Sequence, residues 1–270
     1  MQEVTHKKEV VFPETMEQQV MWGYHRGLLQ AENYKAIVNP QTGKLFSIVS
    51  KDYRLIRHEE AIEEVEKAIV ETQELGRHEI NTAFYNDGGR MLRTYRFTER
   101  SVEIVRGDLV NPELHLHNSY DTTWPFIVIL GAYRLICKNG MVVHENLFQV
   151  KKRHVYELKK LYLKDQVSTA LSRFQLQTEQ WREWADRELT LRTYLQVMNT
   201  MKFGKNATEE IENRVAQEAD GCNADGIPII SVWIFFNILT WYITHKAVSL
   251  NHRVEMERRL RATMVHFKRD

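Results

Sequence analysis

Short runs of alternating apolar and polar residues fill the first half of the chain, a pattern typical of β-strands. Two turn clusters, residues 39–43 and 86–89, are rich in Asn, Gly, Asp and Pro and predict hairpins. The runs that flank them are residues 34–38 with 44–49, and residues 80–85 with 90–97. Further strand candidates are residues 114–117, 126–130, 132–137 and 149–155, and residues 50–56 are expected to continue extended.

Helical spacing of apolar residues occurs once in this half and dominates the second half. Ile62, Val65 and Ile69 recur at intervals of three and four, which predicts a helix over residues 58–75 that Gly76 ends as a C-cap. Further helices are expected over residues 158–201, from residue 208, and over 228–260. The predicted fold class is therefore α+β, with N-terminal antiparallel β-hairpins and one packing helix before a helical C-terminal half. We expect an α+β domain over residues 1–155 with a helical region, 156–270, packed on it, or a single domain.

One apolar segment requires a membrane test. Residues 227–243 contain no charged side chain, but the 17 positions are at the lower limit for a spanning helix, and polar residues interrupt them. We predict a buried core helix with Pro228 in its first turn, and no membrane association. The N-terminus shows no signal peptide, and Cys137 and Cys222 form no disulfide framework, so we expect a cytoplasmic protein.

Charge and motif content exclude some functional classes. The chain has 37 basic and 36 acidic side chains and a formal net charge of +1, unlike proteins that bind DNA as whole-chain polycations. The sequence contains no glycine-rich dinucleotide fingerprint, phosphate-binding loop, nucleophile elbow or zinc-protease motif. We therefore predict no cofactor and assign no catalytic residue.

The densest polar cluster lies in residues 115–121. His115 and His117 would share one face of a strand, and Asp121 or His144 could complete a metal site. A hydrogen-bonded histidine in a sheet, followed by a structural turn over residues 118–123, explains the same pattern. A ligand-contacting loop is the third interpretation.

The clearest basic stretch is residues 151–164, where six basic side chains accompany one acidic residue, Glu157, and two interleaved tyrosines. Cations that follow phosphates, with rings on which bases stack, are typical of single-strand binding. A solvated helix face would show the same run of charge. The predicted nucleic-acid-binding residues, with basic positions of earlier strands included, are Lys151, Lys152, Arg153, Tyr156, Lys159, Lys160, Lys164, Arg93, Arg96, Arg134 and Lys138.

Four segments, in this order, resemble the motifs of a phage- and plasmid-borne family of unknown function. They are residues 46–56, residues 107–108 with 117–123, residues 134–141 and residues 231–245. Thr122-Thr123 stands where the family pattern has Gly-Ser, and Trp241 stands where it commonly has an acid. The resemblance implies a protein that handles DNA in replication or recombination. The order of hairpin, helix and further strands is similar to ring-forming single-strand annealing proteins, an analogy of fold alone.

The favoured hypothesis is single-stranded DNA binding and strand annealing by a homo-oligomer. Annealing needs a basic groove that reduces backbone repulsion, and no chemical step. One alternative is a phage-encoded interaction module that acts on a host protein. Another is a metal-dependent nuclease that uses His115, His117 and Asp121.

Overall fold

A computed structural model describes residues 11–25, 27–72, 75–134, 139–141, 149–152, 163–224, 228–248 and 250–267. Their strands are β1 (Met16–Tyr24), β2 (Gly27–Val38), β3 (Leu45–Ser50), β4 (His78–Tyr85), β5 (Arg90–Phe97), β6 (Val102–Val105), β7 (Asp108–Ser119), β8 (Phe126–Arg134), β9 (Asn139–Met141) and β10 (Gln149–Lys152). Their helices are α1 (His58–Glu71), α2 (Leu163–Ala185), α3 (Leu191–Met201), α4 (Lys205–Glu218), α5 (Val232–Lys246) and α6 (Leu250–Thr263). Apart from α1, which lies between β3 and β4, the helices follow the strands, so the predicted α+β class is confirmed.

The strands form two sheets. One has the order β1-β2-β3 and is antiparallel, and the other has the order β10-β8-β7-β5-β4, with β6 beside β7 and β9 beside β8. Both predicted hairpins, β2–β3 and β4–β5, are confirmed. The Oδ1 atom of Asn39 accepts hydrogen bonds from the N–H groups of Gln41 and Thr42 and so fixes the first turn. The sequence patterns did not predict β1, β6 or β9, and the two candidates that begin at residues 126 and 132 belong to one strand, β8.

Two predicted boundaries in this half were wrong. Helix α1 ends at Glu71 rather than Leu75, because Thr72 is its C-cap and has a non-helical ψ of 75°. The Thr72 Oγ1 and N–H both donate to the carbonyl of Ala68 in this last turn. Gly76 has the expected left-handed φ of +68°, but it lies beyond the helix cap. Strand β3 ends at Ser50, whose carbonyl accepts a turn hydrogen bond from the Tyr53 N–H.

The predicted core helix is confirmed, but its start was wrong. Ser231 is the N-cap of α5, and its Oγ accepts the Ile234 N–H, so Pro228 precedes the helix in an isolated bridge with Cys222. The expected helix over residues 228–260 is two helices, and α4 begins at Lys205 after a Gly204 N-cap. No helix in the described part of the chain is long and apolar enough to cross a membrane.

The chain divides into two compact units. Unit 1 comprises Met1–Arg96, Leu114–Ile129 and Phe148–Ser168, and unit 2 comprises Phe97–Glu113, Leu130–Leu147 and Thr169–Asp270. Unit 1 has a core cluster of Ile37, Phe46, Val49 and Tyr120. Unit 2 has buried indole and phenyl rings in contact, such as Trp181 with Trp233, 5.4 Å between centroids. A boundary after residue 155 stays a prediction.

Candidate nucleic-acid interface

The predicted basic stretch lies mostly outside the described residues. Those outside are Arg153, Tyr156, Lys159 and Lys160, with Lys138 of the earlier strands. Lys151 and Lys152 belong to β10 and pair with Ile127 and Phe126 of β8. Arg134 ends β8 opposite Asn139, and Lys164 is an exposed residue in the first turn of α2. Their assignment to nucleic acid stays a prediction.

Arg93 and Arg96 have partners of their own in unit 1. The Arg93 guanidinium donates to Tyr95 Oη at 2.9 Å, Thr82 Oγ1 at 2.8 Å and Glu66 Oε1 at 2.8 Å. Arg96 Nη1 donates to Glu79 Oε2 at 3.3 Å. These bonds connect β5 to β4 and to the acidic face of α1, which gives Arg93 a structural role. Contact with a phosphate would have to compete with its bond to Glu66.

An aromatic and basic cluster forms where β4, β5 and β7 meet their turns. We call Tyr85, Arg90, His117 and Trp124 the Trp124 cluster. The Tyr85 and Trp124 rings meet edge to face at 5.8 Å, and the His117 and Trp124 rings at 5.4 Å. The Arg90 guanidinium carbon lies 5.8 Å from the Trp124 ring centroid, within cation–π range. Tyr85 is 45% exposed and the Arg90 side chain 30%, so a ring and a cation are both accessible to solvent.

Asp121 holds Arg90 in place. Its Oδ2 accepts hydrogen bonds from Arg90 Nε at 2.6 Å and Asn86 Nδ2 at 2.8 Å, while Oδ1 accepts from the N–H and hydroxyl of Thr123. Burial acts to raise the pKa of the Asp121 carboxyl, but the donors from Thr123, Asn86 and Arg90 outweigh it and hold the pKa below its ordinary value. The carboxylate is therefore ionised at neutral pH and fixes the guanidinium beside Trp124.

Ser119 fixes the backbone of Trp124. Its hydroxyl donates to the Trp124 carbonyl at 2.7 Å and accepts the Trp124 N–H at 3.1 Å. The predicted structural turn is present, but Asn118 and Ser119 still belong to β7, so it starts at Tyr120. Within it Thr122 has a left-handed φ of +61°.

A buried polar network lies beneath this turn. His58 is fully buried, its Nε2 is 2.9 Å from the Gly88 carbonyl, and its Nδ1 is 3.0 Å from Asn118 Nδ2. A carbonyl only accepts and the amide Nδ2 only donates, which assigns the proton of neutral His58 to Nε2. The imidazole stacks on Tyr120 at 3.9 Å, and Tyr120 Oη accepts the His58 N–H. Burial raises the pKa of the Tyr120 phenol.

The metal-site alternative has limited support from this geometry. His115 and His117 share one face of β7, with ring centroids 6.5 Å apart. Asp121, however, is hydrogen-bonded to Arg90, Asn86 and Thr123. Among the described residues no three His, Cys, Asp or Glu side chains are placed to hold a metal ion, and His144 lies outside them.

Two of the family-like segments meet in unit 2. The Trp233 indole Nε1, on α5, donates at 2.8 Å to Oδ2 of Asp108, which follows Gly107 at the start of β7. Both residues are almost fully buried. On the same helix Asn237 Nδ2 donates to the Trp233 carbonyl. The family-like segment 231–245 therefore has a structural role within unit 2.

Sequence reasoning missed Tyr85, Arg90 and Trp124 as site residues. The available local signal was Trp124 directly after the polar segment 117–123, and Arg90 directly after the turn 86–89. Their contact depends on pairing between strands that are distant in sequence.

The comparisons with known proteins give a family and no function. None of the curated proteins matches the chain, and none of the solved structures does. A family model described as a domain of unknown function, DUF932, matches residues 45–264. This match includes the hairpin turn at 86–89, the Trp124 cluster and the Asp108–Trp233 pair. The chain therefore belongs to the DUF932 family of domains of unknown function.

Proposed function

We propose that this protein binds single-stranded DNA and anneals complementary strands in phage or plasmid recombination or replication, and that it does so as an oligomer. The observation that carries the proposal is the Trp124 cluster, in which an exposed tyrosine ring lies beside a tryptophan and a fixed guanidinium. Rings that stack with bases and cations that follow the backbone are the two requirements of sequence-tolerant single-strand binding.

The cluster meets the first requirement, stacking, without any rearrangement of its backbone. Its Arg90 is ion-paired with Asp121, so in this proposal the phosphate contacts come from elsewhere in the chain. Ser119 holds the backbone of Trp124, and Asp121 holds Arg90, so the rings and the cation are ordered before a strand arrives. Preorganisation of this kind lowers the entropy lost on binding. A base in a duplex is already stacked and paired, which is why we expect a preference for single strands.

The basic stretch 151–164 supplies phosphate contacts in the same proposal. Its net positive charge contrasts with the near neutrality of the whole chain, so electrostatic attraction would be local. Each phosphate neutralised on a single strand contributes about 0.7 to the slope of log affinity against log salt.

The test is anisotropy of a labelled oligonucleotide, single-stranded and duplex, across a salt series. Tyr85→Ala should weaken single-strand binding by roughly 5- to 150-fold, since stacking contributes about 1–3 kcal/mol per base. Combined Lys151→Ala, Lys152→Ala and Arg153→Ala should lower the salt slope by about 2. Leu176→Ala is the matched control, because Leu176 is 65% exposed on α2 of unit 2.

Two results would contradict the proposal at different levels. Wild-type protein that binds no single strand at low salt would exclude the function. Tyr85→Ala protein with wild-type affinity would exclude the Trp124 cluster as the site while leaving the function open.

A further inference from the structure

Lys44 places an ammonium group at the edge of the Trp124 cluster. It directly precedes β3, and its Nζ donates to the Asn86 carbonyl at 3.3 Å and to Asn86 Oδ1 at 3.2 Å. Asn86 follows Tyr85 in the chain, and its Nδ2 donates to Asp121 Oδ2 at 2.8 Å. A single residue, Asn86, therefore connects the ammonium to Asp121 and to the residue that carries the exposed ring, Tyr85.

The Lys44 ammonium is paired with an anion of the protein itself. Its Nζ donates to Asp87 Oδ2 at 2.5 Å, and the Asp87 side chain is 84% exposed. The hydrogen bond from Lys44 holds the pKa of the Asp87 carboxyl below its ordinary value, so the carboxylate is ionised at neutral pH. This exposed, negatively charged oxygen occupies the position on the ammonium that a phosphate oxygen of a bound strand would take.

Lys44 can exchange this partner for a phosphate at little cost. Surface ion pairs contribute little net stability, because water solvates both groups when they separate. Asn86 and Asp87 are both exposed, so water can replace the ammonium at each of them. The Asn86 carbonyl also accepts the Gly89 N–H at 2.9 Å, so the turn retains its own hydrogen bond when the ammonium moves.

The same exchange would be costly for Arg90. Its partner, Asp121, has a side chain that is only 6% exposed, and the Nε–Oδ2 distance between them is 2.6 Å. A phosphate that captured the guanidinium would leave this carboxylate poorly solvated and without one of its hydrogen-bond donors. Of Lys44 and Arg90, Lys44 is therefore the cation better suited to bind a phosphate.

We propose that Lys44 binds the phosphate adjacent to a base stacked on Tyr85, and that Asp87 competes with this phosphate for the ammonium. The inference rests on the proposed function and names a phosphate contact beside the Trp124 cluster. Loss of the ammonium should weaken strand binding, and loss of the competing carboxylate should strengthen it. These opposite signs distinguish competition from a structural role of the ion pair, since a structural pair would be disrupted by the loss of either partner.

The experiment measures the anisotropy of a labelled single strand across a salt series, with both single variants and their combination. Lys44→Ala should weaken binding by about 5-fold and lower the salt slope by about 0.7, the value of one phosphate contact. Asp87→Asn should strengthen binding by about 2- to 5-fold, because the ammonium no longer has a competing partner. In the double variant, Asp87→Asn should add little to the affinity of Lys44→Ala, since no ammonium is left to release.

The Lys246–Glu210 ion pair of unit 2 is the matched control. Its Nζ–Oε1 distance is 2.7 Å, and the two side chains are 43% and 37% exposed. Glu210→Gln makes the same change in net charge as Asp87→Asn, and Lys246→Ala the same change as Lys44→Ala. Both control variants should bind the strand within about 2-fold of wild type, because the effect of net charge alone is screened by salt.

Urea unfolding of each variant confirms that it folds, which we expect because Lys44 and Asp87 form a surface ion pair. Wild-type protein that binds single strands, with unchanged affinity in both single variants, would overturn this inference and leave the proposed function intact. An equal gain from Asp87→Asn with and without Lys44→Ala would overturn it as well, since net charge would then explain the gain. Wild-type protein that binds no single strand would exclude the inference together with the proposed function.

Discussion

The two units of this protein are built on different kinds of buried interaction. In unit 1, the fully buried His58, Asn118 and Tyr120 are connected by hydrogen bonds with defined donors and acceptors. In unit 2, Trp184, Phe236 and Phe267 meet through ring faces and edges at 5.2–6.1 Å. Hydrogen bonds depend steeply on distance and angle, whereas ring contacts tolerate a range of geometries. The polar network therefore fixes the turn beside the Trp124 cluster, while the rings chiefly supply buried area.

The largest effect that follows from this difference is expected at His58. His58→Phe keeps a ring of similar size but leaves the Gly88 carbonyl and one Asn118 N–H without their partner. Loss of these buried bonds should lower the free energy of unfolding by about 2–4 kcal/mol. Urea unfolding followed by circular dichroism measures it. Trp181→Phe is the reference from unit 2, since the Trp181 indole N–H donates to no acceptor among the described residues. If both variants lost the same free energy of unfolding, the proposed difference between the buried interactions of the two units would be wrong.

Trp233 is the position at which unit 2 departs from this pattern. Its indole both contacts Trp181 and donates to the buried Asp108 carboxylate. Trp233→Phe should therefore lower the free energy of unfolding by about 2 kcal/mol more than Trp181→Phe, because a hydrogen bond to a charged group is worth about 1.5–3 kcal/mol. The same urea titration measures both variants. A difference near zero would show that the ring contacts alone stabilise this core.

The features predictable from the sequence are those set by local interactions. The turns at 39–43 and 86–89 carry their own Asn, Asp and Gly chemistry, and the apolar spacing of Ile62, Val65 and Ile69 is internal to α1. Strand β1 was missed because its sequence, MEQQVMWGY, lacks clear alternation and its pairing comes from β2. Helix α1 stops early at Thr72, whose backbone ψ of 75° is not helical, and apolar periodicity does not report such an end.

The candidate site was less predictable because it depends on contacts between distant segments. Tyr85 and Trp124 are 39 positions apart in the sequence, and strand pairing places their rings together. A run of basic residues can be recognised from the sequence alone. The ion pair between Arg93 and Glu66 can be recognised only from the fold. A run of basic residues thus indicates a region that attracts anions, and the fold is needed to identify which of its cations are already paired with carboxylates.

Thr122 allows a test of how much the backbone conformation of a single residue contributes to the stability of unit 1. Its φ of +61° is strained for a β-branched residue. Left-handed backbone costs a non-glycine residue about 1–2 kcal/mol, while glycine adds unfolded-state entropy worth about 0.5–1 kcal/mol. Thr122→Gly should therefore raise the free energy of unfolding by up to about 1 kcal/mol, measured by urea unfolding.

The neighbouring Thr123 provides a control of the same residue type with the opposite expected sign. Its N–H and hydroxyl bind Asp121, so Thr123→Gly should destabilise the protein, whereas Thr123→Ser keeps the hydroxyl and should be close to neutral. If both glycine variants destabilised the protein equally, the entropy that glycine adds to the unfolded chain would outweigh any relief of backbone strain at Thr122. The opposite signs would instead show that a single left-handed residue and a single hydroxyl set the geometry that carries Asp121, and through it Arg90, to the Trp124 cluster.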